Sequence, residues 1–414
     1  MSIRKRTWSD KDGKVKQAFV VDYFDQHKKR HIKTFKTKEA AKTWAATTVL
    51  QVKANTHVPD SKSITVEEAT KLWIGQCELD GLEPTTIEGY KKHQEYIVEY
   101  IGNTKLNTVA VETARYLETK LRDARKSANV ARAVVQSLGA VIAEAVELGK
   151  VTHNPLRERR RKRRGAEAKR HKQQLKPGVD MPLPDEMRKI IESAPVKMIK
   201  GRPTNYYRVF IHTAAFTGLR ASELRGLRWE DVDLKEGYVN VTQRADRSKR
   251  ISSPKSDAGR RRLPIPSRLL NELREWKLVC PKLKDRLVYV FPTSTGQIEY
   301  IGNLDKRGFQ DAVGRALSLV HKLDDNGEPA FDEDGEPILR PKYTGLHCLR
   351  HFYASYCINR KIDGGLELPA KIVQARLGHS SITLTLDRYG HLFPSNDDRE
   401  EMDAANDAFW TSEG

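Results

Sequence analysis

Residues 17–24 are rich in β-branched and aromatic side chains, and residues 30–35 return to that character after the polar stretch 25–29, a pattern that predicts two strands joined by a turn. An earlier strand around Trp8 runs into a turn at Asp10-Lys11-Asp12-Gly13. From Thr37, a helix N-cap, the period changes: Ala41, Trp44, Ala45 and Thr48 recur at helical spacing and can cover one face of a sheet. Residues 1–55 therefore read as a small β-β-β-α domain. A polar linker with Pro59 follows, and Thr65-Val66-Glu67-Glu68 is a capping box that starts a helix. Apolar residues at helical spacing around Leu72-Trp73 and in residues 90–100, 111–121 and 130–148, with Gly102 and Gly149 as stops, predict a four-helix domain over 63–156.

A third domain is expected from residue 183, where Leu183-Pro184-Asp185-Glu186 places proline at a helix start and two acids in the first turn. Residues 206–216 form a largely apolar helix that ends at Gly218. Residues 238–243 alternate as a strand, and residues 262–265 are its expected partner, with Lys249, Arg250 and Lys255 between them. Residues 324–339 repeat a turn pattern, Asp325-Asn326-Gly327-Glu328-Pro329 and Asp334-Gly335-Glu336-Pro337. With either glycine at the sixth position, Lys322 or Ala330 would be the first ligand, so a calcium loop is excluded and an exposed acidic hairpin is expected. The tail, residues 397–414, predicts a short helix with Met402, Ala405 and Phe409 on one face.

Charge sharpens this outline. The chain has 414 residues and a formal net charge of +19, an excess that points to a polyanion, most often nucleic acid. Residues 157–172 hold ten Lys or Arg against Glu158 and Glu167. Such a run is a solvated basic linker, here assigned to 157–182, and beside DNA it would add salt-dependent phosphate contacts. A nuclear-import signal is the lesser reading, since nothing else suggests a eukaryotic cell. No run approaches the roughly eighteen apolar residues of a membrane span, and Met1–Arg6 leads into charge, so the expected location is the bacterial cytoplasm, in association with the nucleoid. The four cysteines, Cys77, Cys280, Cys348 and Cys357, lack paired metal-ligand spacing and are expected as reduced, buried thiols.

The chemistry is concentrated in three boxes: Gly345-Leu346-His347-Cys348-Leu349-Arg350-His351, Leu377-Gly378-His379-Ser380-Ser381 and Asp387-Arg388-Tyr389-Gly390-His391. They bring a hydroxyl nucleophile, a guanidinium and imidazoles together, the groups that attack on a phosphodiester requires. Upstream, Thr217-Gly218-Leu219-Arg220-Ala221-Ser222-Glu223-Leu224 adds a second arginine and an acid. In this order and spacing the boxes resemble the tyrosine recombinase, or phage integrase, family over residues 183–392.

The resemblance implies a multi-domain, mainly α protein with small β-sheets. It would comprise an arm-type DNA-binding domain (1–55), a helical core-binding domain (63–156), a mixed α+β catalytic domain (183–396) and the tail. Composition alone leaves the first two open as generic small domains. In the family's terms Tyr389 is the nucleophile, leaving a 3′-phosphotyrosyl bond and a free 5′-hydroxyl; His347 assists proton removal; His379 binds a non-bridging oxygen; Arg220 and Arg350 hold the transition state; and Glu223 orients the site. Lys255 would protonate the leaving oxygen as the β-hairpin lysine, with Lys249 as the alternative. His351 and His391 read as supporting residues. The implied reaction is site-specific integration and excision of a mobile element, with no cofactor, neither ATP nor metal. The implied partners are double-stranded attachment sites, a homotetramer in synapsis, and an excisionase or host DNA-bending protein, with no membrane. A type IB topoisomerase and a non-catalytic DNA-binding protein on the same fold are the alternatives.

Overall fold

The computed structural model describes residues 1–9, 15–26, 28–53, 57–59, 63–157, 174–323, 328–332, 334–393 and 399–411. The turn at 10–13, nearly all of the basic stretch 157–172, the acidic residues 324–327 and the start of the tail lie outside them. The chain divides into two compact units, Met1–Arg170 and His171–Gly414.

In the first unit, β1 (Ser2–Ser9), β2 (Val15–Phe24) and β3 (Arg30–Phe35) form an antiparallel sheet in that order. Helix α1 (Lys38–Lys53) starts at Thr37, whose Oγ1 accepts from the Ala40 N–H. Its Ala41 and Ala45 pack with Val21 and the partly buried Phe35 and Trp44. One sheet face is thereby covered, while β1 carries Arg4 and Arg6 exposed. Four helices follow: α2 (Val66–Leu79), α3 (Pro84–Ile101), α4 (Val111–Asp123) and α5 (Ala128–Glu147). The Thr65 capping box is formed, with both reciprocal hydrogen bonds to Glu68. Helix α5 is long and apolar enough to cross a membrane by length and composition, but its Val134, Leu138, Val141 and Ile142 lie in the core of the bundle.

The second unit opens with α6 (Pro184–Glu192), whose Pro184 sits in the first turn. The Glu186 carboxylate accepts from the Leu183 N–H and from Lys342 and Tyr343, tying this helix start to a segment 156 residues away. A short β4 (Lys197–Ile199) and β5 (Arg202–Thr204) pair precedes α7 (Tyr206–Thr217). Helix α8 (Ala221–Gly226), β6 (Val232–Asp233) and β7 (Tyr238–Val241) come next, then β8 (Arg244–Ala245) paired with β9 (Ile251–Ser252). Strand β10 (Arg261–Pro264) returns antiparallel to β7 in the three-stranded order β10-β7-β6. Helix α9 (Ser267–Val279), a π-helical turn Asn303–Gln310 and α10 (Asp311–Ala316) surround an aromatic core of Tyr206, Phe210, Trp276, Phe291 and Phe309.

Beyond this core, β11 (Val320–His321) pairs with β12 (Leu339–Arg340), and the bridges Leu323–Pro329 and Phe331–Pro337 extend the ladder into the acidic insertion. The last helices are α11 (His347–Ile358), α12 (Ala370–Leu377), α13 (Ile382–Tyr389) and α14 (Arg399–Thr411). On α14 the side chains of Met402, Phe409 and Trp410 are exposed. All four cysteines are buried.

Candidate active site

Two left-handed glycines build the site. Helix α7 stops at Gly218, φ +59°, where a Cβ would stand 2.2 Å from the Tyr353 ring; helix α12 stops at Gly378, φ +62°, where a Cβ would stand 2.9 Å from the Ala258 carbonyl. Only glycine allows both the backbone turn and the close approach. The freed carbonyls at these two helix ends then face the arginines. Arg350 Nη1 donates to the Gly218 carbonyl at 2.7 Å and its Nη2 to the Leu377 carbonyl, while Arg220 Nη2 donates to the Gly378 carbonyl at 3.2 Å.

Glu223, 3% exposed, is the hub. It accepts from the Arg220 backbone N–H at 2.9 Å and Nη1 at 2.8 Å, and from Arg261 Nη2 at 2.9 Å. Burial alone would raise its pKa. The Arg261 charge and hydrogen bond, with the Arg220 backbone N–H and charge, outweigh that and hold it below the usual carboxylate range. Arg350 has the opposite balance. Burial and the neighbouring Arg220 and Arg261 charges push its pKa down to about 9, so it is still charged at neutral pH but surrounded by like charge. A site in this condition attracts an anion.

Tyr389 ends α13 and is 1% exposed. Burial raises its pKa to about 12, against the lowering charges of Arg350, Arg388 and Arg220. Its Oη lies 2.8 Å from His351 Nδ1, and its ring is nearly parallel to that of His379 at a centroid distance of 6.4 Å. His379 Nδ1 lies 2.9 Å from the buried Thr385 hydroxyl. Desolvation, then the Arg350, Arg220 and Arg261 charges and His347, lower its pKa to about 4. His347 stands edge-on to His351 at 4.6 Å, with part of its surface open to solvent; desolvation and the Arg350, Arg388 and Arg220 charges also bring its pKa to about 4. Both imidazoles are therefore neutral at pH 7.

Arg220, Glu223, His347, Arg350, His379 and Tyr389 are thus brought together, while Lys255 stands apart, in the connection between β9 and β10. The two-stranded hairpin is β8–β9, and its turn carries Lys249 in a left-handed conformation, φ +65°. Lys255 lies beyond the return strand, exposed, because the chain leaves β9 through Ser253-Pro254 instead of turning there. That connection still adjoins the site. Pro254 packs on Gly259, and Ala258 meets Gly378, the residue before His379.

Two contributors escaped sequence reasoning and a third was underrated. Arg261 clamps Glu223 from β10 and donates through Nε to the Arg376 carbonyl at 2.8 Å. Thr385 orients His379. His351, expected only as a supporting residue, makes the hydrogen bond to the Tyr389 hydroxyl. For His351 a signal existed: residues 347, 350 and 351 fall on one helix face.

An arginine-rich anion site with neutral imidazoles and a tyrosine, on this α-rich domain with a three-stranded sheet, defines the class of tyrosine recombinases. Residues 183–396 match the phage integrase family, and the chain belongs to that family. It is 24% identical over 369 residues to a XerC-like tyrosine recombinase of Caldanaerobacter subterraneus subsp. tengcongensis, covering 84% of this chain and 85% of that protein. It is also 24% identical over 351 residues to the ICEBs1 integrase of Bacillus subtilis, covering 84% of each. Among solved structures, the Tn1549 transposon integrase in complex with transposon right end DNA is similar, with a TM-score of 0.58 and 17% identity, covering 84% of this chain and 100% of that one. A lambda integrase tetramer bound to a Holliday junction gives 0.53 and 16%, covering 91% and 96%.

Proposed function

We propose that this recombinase is a site-specific integrase that cleaves and rejoins double-stranded DNA through a 3′-phosphotyrosyl intermediate, moving a mobile element in and out of a chromosome. The observation that carries the reading is the placement of the Tyr389 hydroxyl in one cluster with Arg220, Arg350 and the neutral His347 and His379.

In the forward step a bond forms between Tyr389 Oη and the scissile phosphorus, and the bond from phosphorus to the 5′ oxygen breaks. The phenol proton goes to neutral His347, and the leaving 5′ oxygen takes a proton from Lys255. Arg220 and Arg350 offer planar donor forks to the non-bridging oxygens as charge builds, a geometry that lysine cannot supply. The Thr385 hydroxyl holds His379 through Nδ1, and the tautomer in which that hydroxyl donates leaves the ring proton on Nε2 for the same phosphate. The covalent bond conserves the energy of the broken phosphodiester, so attack by a new 5′-hydroxyl reverses the step without ATP or metal.

The net charge of +19 and the exposed Arg4 and Arg6 of β1 support duplex DNA as the partner. The tetramer on a Holliday junction formed by lambda integrase supports a homotetramer in synapsis. The test is a nicked suicide substrate, on which the 5′-hydroxyl strand diffuses away and traps protein on the 3′ phosphate. A denaturant-stable adduct is expected; its absence on a bound cognate site would overturn the proposal.

Lys255 has a narrower test, since a general acid matters only when the leaving oxygen needs a proton. Lys255→Ala is expected to cleave ordinary DNA poorly, by about 10²-fold or more, and to recover on a substrate with sulfur at the 5′ bridging position, a far better leaving group. Lys249→Ala is expected to show neither effect. The reverse pattern would transfer the role to the hairpin tip.

A further inference from the structure

The His351–Tyr389 contact has a direction that follows from its other end. His351 Nε2 lies 3.4 Å from Arg388 Nη2. A guanidinium only donates, so Nε2 holds a lone pair and the ring proton resides on Nδ1, pointing at Tyr389 Oη 2.8 Å away. The ring is 6% exposed and edge-on to His347, which limits its rotation. Other charged or titratable neighbours are Arg350 on the same helix and Arg388 and Tyr389 on α13. Desolvation, His347 and the two arginine charges drive its pKa down to about 3, so it stays neutral across the working range.

We propose that His351 is a catalytic hydrogen-bond donor: its Nδ1–H holds the Tyr389 oxygen in place and stabilises the phenolate as it forms, without giving up its proton. The inference rests on Tyr389 being the nucleophile. It separates two tasks that a single histidine could not perform at once. The phenol proton leaves to a different acceptor, His347, while His351 stays bonded to the oxygen that attacks phosphorus. Arg388 acts through His351, as a positioning residue that fixes which nitrogen carries the proton.

The experiment compares His351→Leu, which removes the donor, with His351→Asn, whose amide nitrogen can stand near the Nδ1 position. Single-turnover adduct formation on the nicked substrate is followed from pH 6 to 10, alongside binding and thermal melting. The leucine variant is expected to cleave about 10- to 100-fold more slowly, the range for a hydrogen bond to a charged oxygen, with its pH profile displaced to the alkaline side and binding nearly unchanged. The asparagine variant should retain most of the rate. Difluorotyrosine at position 389, a more acidic phenol, should restore the leucine variant more than it changes the wild type. Wild-type cleavage by the leucine variant would overturn the proposal. So would an equal fall in both variants that neither alkali nor the fluorinated phenol relieves, since packing alone would then explain it. The asparagine and fluorotyrosine arms remain decisive even where leucine weakens the fold. An adduct that persists in Tyr389→Phe is a separate result and removes the nucleophile itself.

Discussion

Tyr389→Phe is expected to form no covalent adduct on a nicked attachment site while binding that site within about twofold of wild type, an effect limited by assay sensitivity because in the proposed reaction the hydroxyl is the attacking group. The ring itself should remain in place. It packs with Tyr353, Val373 and Leu377 in a small core, and phenylalanine fills the same volume. What is lost on the protein side is one hydrogen bond to His351, leaving a buried donor unsatisfied at about 1–3 kcal/mol. A slightly lower melting temperature should therefore accompany intact binding. Adduct formation by the variant, or loss of binding in step with loss of cleavage, would reject the assignment.

Arg350→Ala is expected to lower cleavage by about 10²–10³-fold or more, the scale of removing one preorganised oxyanion donor. Arg350→Lys should recover little, since one ammonium cannot hold two helix-end carbonyls and a phosphate fork together. Stability should respond far less than activity. The variant leaves the Gly218 and Leu377 carbonyls without their donor, but it also relieves a buried charge disfavoured by Arg220 and Arg261. These terms have opposite signs. Melting curves and single-turnover cleavage measured on the same preparations separate them, and near-wild-type cleavage would remove Arg350 from the phosphate clamp.

The parts of the site that were legible in the sequence are those written in local geometry. Gly218 marks a helix end by its backbone freedom and is followed two residues on by Arg220. Proline at 184 and the Thr65 box likewise announced helix starts. What could not be read depends on partners distant in the chain. Arg260, Arg261 and Arg262 are consecutive, and nothing local says which one faces Glu223, 38 residues away. Strand pairing decides it: Arg262 stacks on Tyr238, and Arg261 turns to the opposite side. The short β8–β9 pair went unread for a related reason. Two-residue strands are too short to show alternation, so the turn at Lys249 could not be told from the bend near Lys255.

The four buried cysteines bear on how strand exchange can be watched. A maleimide dye needs an accessible thiolate, and burial raises the pKa of Cys280 and Cys357 to about 11 and moves those of Cys77 and Cys348 upward as well. Native thiols should stay unlabelled at neutral pH, so a single cysteine introduced on an exposed position such as Trp410 or Lys16 can carry a fluorophore without first emptying the protein of its own. Fluorescence transfer between that dye and one on DNA would then report when the protein arrives on a site and when it lets go, in an otherwise unaltered enzyme.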